Sequence, residues 1–543
     1  MKKVKVDNAI ILAAGFGSRF VPITYELPKG LVSVKGEPMI ERQIRQLLEK
    51  DIREIIIVVG YLKEKFDYLI DKYGVKLVCN PEYAVKNNLS SLYHARAHLK
   101  NTYVLSADNW MRENIFSAAE EKSWYSCVYK EGPTSEWCVR ADERGRIAGV
   151  SIGGRDSWVM YGPVFLSESF SSVFAGKVEE YHRKPGKENY MWENVFIDEL
   201  PCLDLYVNRQ KSDNVYEFEN IEELREFDPG YYDKTPNALI NAIENVFGVQ
   251  ENEITCIKNL KVGMTNRSFG FSVKGKTYIF RLPGEGTEKL INRKQEREVY
   301  SAIGGLGISD SVVCFDENTG YKISEFYEGA RNTDARNSED VEKTMDALRE
   351  FHKRGLEIGH SFDIGREISR YLVLCRGRNA IRYSDNDETL AKMRRLIALA
   401  KNMNGPQTLC HIDSNPDNYI RLEDGSVKII DWEYAGMCDP LMDISMYSIY
   451  SYYSKSEMDK LLEIYLQREP AAEETVRLYM YAALGGYLWA LWTEYKQSFG
   501  VEFGDYGMKM YRYAKEFYKH LSDAGLGVDD RPGKPASNQR SEA

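Results

Sequence analysis

The sequence predicts an α/β domain followed by a two-lobed α+β domain, and three observations carry that reading. In the first 228 residues, short β-branched runs alternate with amphipathic ones: Asn8 to Ala13, then Ile40 to Leu48, then Ile52 to Tyr61. That alternation is the signature of a largely parallel sheet layered with helices. From Thr255 the runs read as strands alone (ITCIKNL, VGMTNRSFGFSV, KTYIFRLPG), a small antiparallel sheet, and from Val341 onward the chain is mainly helical. A single stretch within that helical region differs: Tyr419 to Leu422 and Val427 to Ile430 flank Asp424-Gly425, a strong hairpin signal.

At 543 residues the chain exceeds what one hydrophobic core serves, so several domains are expected. The clearest break is Asp228-Pro229-Gly230, which ends one helix before Thr235-Pro236 opens another. The division is therefore 1–228, a linker at 229–236, a second domain at 237–524, and a polar tail at 525–543 expected to be disordered. A formal net charge of −10 argues against nucleic acid or anionic membrane as partner, because both require a basic surface. The nine cysteines form no CxxC pair and the seven histidines are dispersed, so neither a disulfide framework nor a zinc site is expected. Asp7, Gly15, Gly17 and Arg19 interrupt what would be a signal-peptide core, which reads as a cytoplasmic start. The later apolar run from Ala482 to Trp492 is about half of the roughly 20 residues a membrane span needs.

Two stretches carry chemistry. In the first domain the strand ending at Ala13 runs into AAGFGSRF, where the backbone of Ala13, Ala14, Gly15 and Gly17 can approach phosphates before Ser18 and Arg19 enter an expected helix. Alone, such a turn could equally hold a dinucleotide. Downstream, Lys29 follows a proline turn and Pro38 opens an amphipathic helix with Ile40, Ile44, Leu47 and Leu48 on one face. In the second domain His411, Asp413 and Asn418 stand in the spacing HxDxxxxN, and the hairpin returns Asp431 beside Asn418. An amide and a carboxylate there can hold Mg²⁺ on nucleotide phosphates while Asp413 faces an acceptor hydroxyl, which points to phosphoryl transfer.

Around that loop, Gly263 to Phe269 can cover phosphates and Arg281 on the third strand can meet them. Glu296 or Glu298 on the next helix can pair with Arg281, helical spacing favouring only one of them. Ser324 to Tyr327 reads as the join between lobes. Trp489 and Trp492 share a helix face and offer two indole surfaces to a cation, or a buried stripe beside Leu488 and Leu491.

With these motifs quoted, the first half resembles the nucleotidyltransferases that join a nucleoside triphosphate to a phosphorylated small molecule, through LAAGFGSRF, LPKGLVSVKGEPMIERQI, SADNW and MWENV. Within them it is most similar to bacterial CTP:phosphocholine cytidylyltransferases, which implies a Rossmann-like mixed sheet. The resemblance implies Asp108 and Glu193 as holders of Mg²⁺, with aspartate the commoner residue at the second position. It also implies Arg19 and Lys29 as cations on the CTP phosphates, and Asn80, Asn88 and Ser90 around the cytosine. Trp192, with Trp110, Trp137 and Tyr190, could face a quaternary ammonium. The second half resembles the choline kinase and aminoglycoside phosphotransferase superfamily through GMTNRSF, YIFRLPG, HIDSNPDN and IDWEYAGMCDPLMDIS, with WALWTEYKQ matching the choline subgroup. That implies a protein-kinase-like fold, ATP on Arg281 and Glu296, and Asp443 helping to close the site.

Together the halves imply choline phosphorylated by ATP and the phosphocholine converted by CTP to CDP-choline, with Mg²⁺ in both steps. The alternatives are ethanolamine phosphate, 2-aminoethylphosphonate or a sugar 1-phosphate as substrate, or one half serving as a non-catalytic nucleotide-binding module. A homo-oligomer is left open.

Overall fold

The computed structural model describes residues 3–200, 202–231, 237–260, 266–284, 286–403, 405–500 and 503–525. Linker residues 232–236, the expected phosphate turn at Gly263, and the tail from 526 lie outside the described residues. The chain divides into two compact units, 1–260 with 269–275, and 261–268 with 276–543.

The first unit is built on a seven-stranded mixed sheet. Strands β1 (Asn8–Ala13), β2 (Glu54–Val59), β3 (Lys76–Cys79), β4 (Thr102–Ser106), β5 (Trp124–Ala141), β6 (Ile147–Leu166) and β7 (Tyr206–Gln210) lie in the order β7-β5-β6-β4-β1-β2-β3. β1 runs parallel to β2 and to β4, while β6 is antiparallel to both β4 and β5. Alternate residues of β1 serve opposite cores: Ala9 and Ile11 join Ile40, Ile44 and Leu47 of helix α1 (Met39–Leu48), while Ile10 joins Leu89 and Leu92 of helix α2 (Asn88–Ala95) and Phe170 and Phe174 of helix α3 (Glu168–Arg183). A sheet covered on both faces explains why β1 and β2 read as continuous apolar runs. It also leaves the carboxyl ends of the parallel strands as the open crevice where α/β sheets bind ligands.

One local expectation fails. Ser18 and Arg19 belong to a single 3₁₀ turn, Ser18–Phe20, and not to a helix. Gly17 precedes it at φ 67° with no side-chain cap, Val21 is already extended, and Pro22 bars continuation.

Strand β8 (Thr255–Asn259) pairs antiparallel with β9 (Asn266–Val273), and β10 (Lys276–Pro283), β11 (Val312–Phe315) and β12 (Lys322–Glu325) pair antiparallel in the order β10-β12-β11. Helix α4 (Arg293–Ile303) follows β10. The helical remainder packs one large core around α5 (Leu441–Tyr450), α6 (Ala472–Gln497) and α7 (Tyr506–Asp523). The expected hairpin forms from Tyr419–Arg421 and Val427–Ile429, paired antiparallel, with Gly425 at φ 81° in the turn. No described helix is long and apolar enough to cross a membrane.

Candidate active sites

The end of β1 opens on a cavity of about 700 Å³ lined by Ala14, Gly15, Arg19, Asn88, Tyr125, Trp137, Trp192, Glu193 and Glu217, among others. Gly17 stands beside it for a steric reason: a Cβ there would lie 3.0 Å from Lys29 Cβ, at a left-handed φ that side chains disfavour. Lys29 thereby comes close, and its Nζ donates to Asp108 Oδ2 at 2.7 Å. Burial pushes the Asp108 carboxyl up, but Lys29 outweighs it and holds the group below its ordinary value. Arg19 is largely exposed and paired with Glu219 at the cavity wall.

The carboxylate that feels the Asp108 charge is Glu217. Burial first, and Asp108 next, raise the Glu217 carboxyl to about 7. Its Oε2 accepts from Asn109 Nδ2 at 3.2 Å across a short strand pair, Asn109–Met111 with Val215–Glu217. Glu193 belongs to another wall. Its Oε1 accepts from Tyr125 Oη at 3.3 Å, its buried Oε2 finds no hydrogen-bond partner among the described residues, and burial lifts it to about 7. The charge of Asp108 is felt at Glu217, while Glu193, expected to share a metal with Asp108, accepts from Tyr125.

The segment expected around the base separates in the same way. Asn80 and Ser90 are buried and bonded to each other, Nδ2 to Oγ at 2.8 Å, so they brace the segment and do not line the cavity. Asn88 does line it, and its Oδ1 accepts from Trp192 N at 2.9 Å. Of the four aromatics, Trp137 and Trp192 reach the cavity, Trp192 stacked on Tyr125 at 5.9 Å. Trp110 is buried under the Arg42 guanidinium and Tyr190 lies against Lys187.

In the second unit Asp413 is gripped from two sides: Oδ1 accepts from Tyr450 Oη at 2.5 Å and Oδ2 from Asn418 Nδ2 at 3.0 Å. Burial raises the Asp413 carboxyl, and the Tyr450 bond works against the rise. Ile412 and Asp431 both sit at left-handed φ, 68° and 65°, conformations that cost free energy and that surrounding contacts must hold. Asp443 supplies that hold for Ile412, and Arg281 meets Asp431. Asp443 is fully buried, accepts from His411 N at 2.8 Å and Ile412 N at 2.6 Å, and receives His352 Nε2 at 3.0 Å. Expected to help close the site, Asp443 holds the backbone of the loop that carries Asp413.

Arg281 resolves the choice between the two glutamates. Its Nη2 donates to Glu296 Oε1 at 2.6 Å and its Nη1 to Asp431 Oδ1 at 2.5 Å, while Glu298 accepts from Gly359 N. Burial pushes Asp431 up, but Arg281 and then Lys322 hold it below its ordinary value. Neither Lys322 nor Glu433 stood out in the sequence. Glu433 is raised to about 7 by burial and by Asp431, although Arg293 donates to it at 2.9 Å.

Trp489 and Trp492 are buried. Trp489 packs edge-on against Tyr434 at 5.2 Å and lies 5.8 Å from Tyr450, the tyrosine bonded to Asp413. Trp492 lies one layer further, against Phe503 and Tyr506, with its Nε1 unpaired among the described residues. The two tryptophans thus join an aromatic cluster that reaches Asp413 through Tyr450.

Two family models match separate parts of the chain. Residues 9–109 match the MobA-like NTP transferase domain and residues 257–480 match choline/ethanolamine kinase. A choline-phosphate cytidylyltransferase of Streptococcus pneumoniae is 37% identical over 221 residues, 41% of this chain and 96% of the relative. A 2-aminoethylphosphonate cytidylyltransferase of Lancefieldella rimae is also 37% identical, over 228 residues, 41% of this chain and 93% of the relative. The crystal structure of choline kinase LicA from Streptococcus pneumoniae is 28% identical, covering 52% of this chain and 98% of that one, with a TM-score of 0.46. The chain belongs through its first domain to the cytidylyltransferase family of these relatives, and residues 257–480 behind it match the choline/ethanolamine kinase family model.

Proposed function

We propose that the chain activates choline in two steps: ATP phosphorylates choline, and CTP then transfers its cytidylyl group to the phosphocholine, giving CDP-choline and pyrophosphate. The observation that carries this is a repeated one. In each half a half-buried acid lies beside an aromatic wall, Asp413 with Tyr450, Tyr434 and Trp489, and Glu193 with Tyr125, Trp192 and Trp137. A trimethylammonium group donates no strong hydrogen bond and is recognised by ring faces and negative charge. The relatives named for choline and choline phosphate support the same reading.

In the kinase half Asp413 would take the hydroxyl proton of choline as its oxygen attacks the γ-phosphate, with Tyr450 and Asn418 fixing the carboxylate. Arg281, held by Glu296, would meet the nucleotide phosphates. In the other half the phosphocholine oxygen would displace pyrophosphate in line, with Lys29 and Arg19 stabilising charge on the phosphates. The oxygen sets Asp108 with Glu217, and Asn418 with Asp431, fit a hard cation. Mg²⁺ bound there would neutralise phosphate charge. We keep the domain limits 1–228 and 237–524 and a cytoplasmic location.

A panel of choline, ethanolamine, phosphocholine, phosphoethanolamine, 2-aminoethylphosphonate and sugar 1-phosphates, with ATP and CTP consumption measured separately, tests the substrate. Choline should be preferred to ethanolamine, and phosphocholine to the others, by at least about tenfold, the discrimination that about 1.4 kcal/mol of cation recognition gives. The second relative makes 2-aminoethylphosphonate the competing substrate of the first half. Preference for it would overturn the choline reading.

A further inference from the structure

We propose that Glu82, His94 and His182 form a binding site for a borderline divalent transition ion such as Zn²⁺. His182 comes from α3, His94 from α2, and Glu82 from the loop that leads to α2. Three donor atoms converge: Glu82 Oε2 lies 2.7 Å from His182 Nε2 and 3.2 Å from His94 Nε2. With bonds of about 2.0–2.2 Å, tetrahedral geometry puts donor atoms roughly 3.3 Å apart. The His94 distance already meets that, and the His182 distance needs to open by about half an ångström.

The protons point the same way. Lys86 Nζ lies 2.6 Å from Glu82 Oε1 and 3.1 Å from His182 Nε2. His182 Nε2 therefore faces an acceptor and a donor at once, and one nitrogen cannot give its proton to Glu82 while taking one from Lys86. His182 Nδ1 is buried without a partner among the described residues, so every polar demand of the ring falls on Nε2. A cation bound by the Nε2 lone pair and the carboxylate removes the conflict, and the Lys86 ammonium already occupies the place as an internal stand-in. The ring is pre-set: it stacks on Tyr93 at 3.7 Å with planes 4° apart, and its side chain is 9% exposed. Glu82 and Lys86 stand on the loop before α2, and Lys86 and Asn88 line the 700 Å³ cavity, so the ion would sit behind that wall, away from the Asp108 and Glu217 pair.

The test is a titration of EDTA-dialysed full-length chain with ZnCl₂, in excess Mg²⁺ and against a chromophoric chelator. One zinc per chain is expected, with affinity at least about tenfold weaker in His94→Ala/His182→Ala. Lys86→Met removes the competing ammonium and should tighten binding about tenfold, a gain that no folding defect can imitate. Three results would overturn the proposal: no zinc taken up, equal affinity in the double variant, or a zinc that survives the double variant and is lost on Asp108→Asn.

Discussion

Tyr450→Phe removes a single hydroxyl and keeps the ring that packs near Trp489 and Tyr506. The lost contact is the 2.5 Å bond from Tyr450 Oη to Asp413 Oδ1. Burial and the adjacent Asp413 charge raise the Tyr450 pKa well above its ordinary value, so the phenol is a donor at any working pH. A hydrogen bond to an ionised group is worth about 1.5–3 kcal/mol, which converts to a fall of roughly 10- to 160-fold in kcat/KM for the kinase step. The sign of the pH effect follows. Asp413 is already raised by burial, and the tyrosine bond favours its charged form. Losing that bond lifts the folded-state pKa further, so the acid limb of the kinase profile must move to higher pH. Stability should change in the same sense, the penalty for ionising Asp413 growing as pH rises through that limb. The assay is ADP release against pH for wild type and variant, with pyrophosphate release from CTP as internal control. A fall under about threefold with an unmoved acid limb would refute the placement of Asp413 as the group that takes the proton.

Three further outcomes follow from the same geometry. Glu193 is raised to about 7 by burial, so the charge that would face the phosphocholine cation is present above neutrality and lost below it. The KM for phosphocholine should climb as pH falls from about 8 to about 6, and Glu193→Gln should flatten that dependence at the high-KM end. Glu217→Gln should raise the Mg²⁺ concentration needed for half-maximal cytidylyl transfer by at least about tenfold while leaving the kinase response to Mg²⁺ unchanged. A change of less than about twofold would return the second metal position to Glu193. Glu296→Ala removes one partner of a pair whose side chains are 5% and 0% exposed, a loss of up to about 3–5 kcal/mol, reduced because Arg281 keeps Asp431. Urea unfolding of the kinase domain should register at least about 1 kcal/mol.

What the sequence made legible was local. Asp424-Gly425 between two apolar runs specifies a hairpin without help from elsewhere, and the return of Asp431 to Asn418 follows, Ile430 N donating to Asn418 O at 2.9 Å. The alternation of strands and helices in the first domain is likewise set by short-range periodicity. What stayed hidden depends on pairing across long separations. Glu217 reaches Asp108 because its strand pairs with Asn109, 108 residues earlier, and the only sequence trace was the acid alternation in VYEFEN. Asn80 and Ser90 looked like ligands for a base because polar residues on a loop do; the fold uses them on each other. Glu296 and Glu298 differ by about 200° around a helix, so only the phase of α4 against β10 decides which one meets Arg281. Asp443 was legible as important in its motif, but its task is to hold strained backbone beneath the loop, where no spacing could place it.

The central claim is that one chain holds two separate reactions, one at Asp413 and one at Asp108. The direct measurement is both activities in each of two variants, ADP release with choline and ATP, and pyrophosphate release with phosphocholine and CTP. Asp413→Ala should abolish the first and spare the second, and Asp108→Ala should do the reverse. A folded variant of either kind that loses both activities would contradict the account.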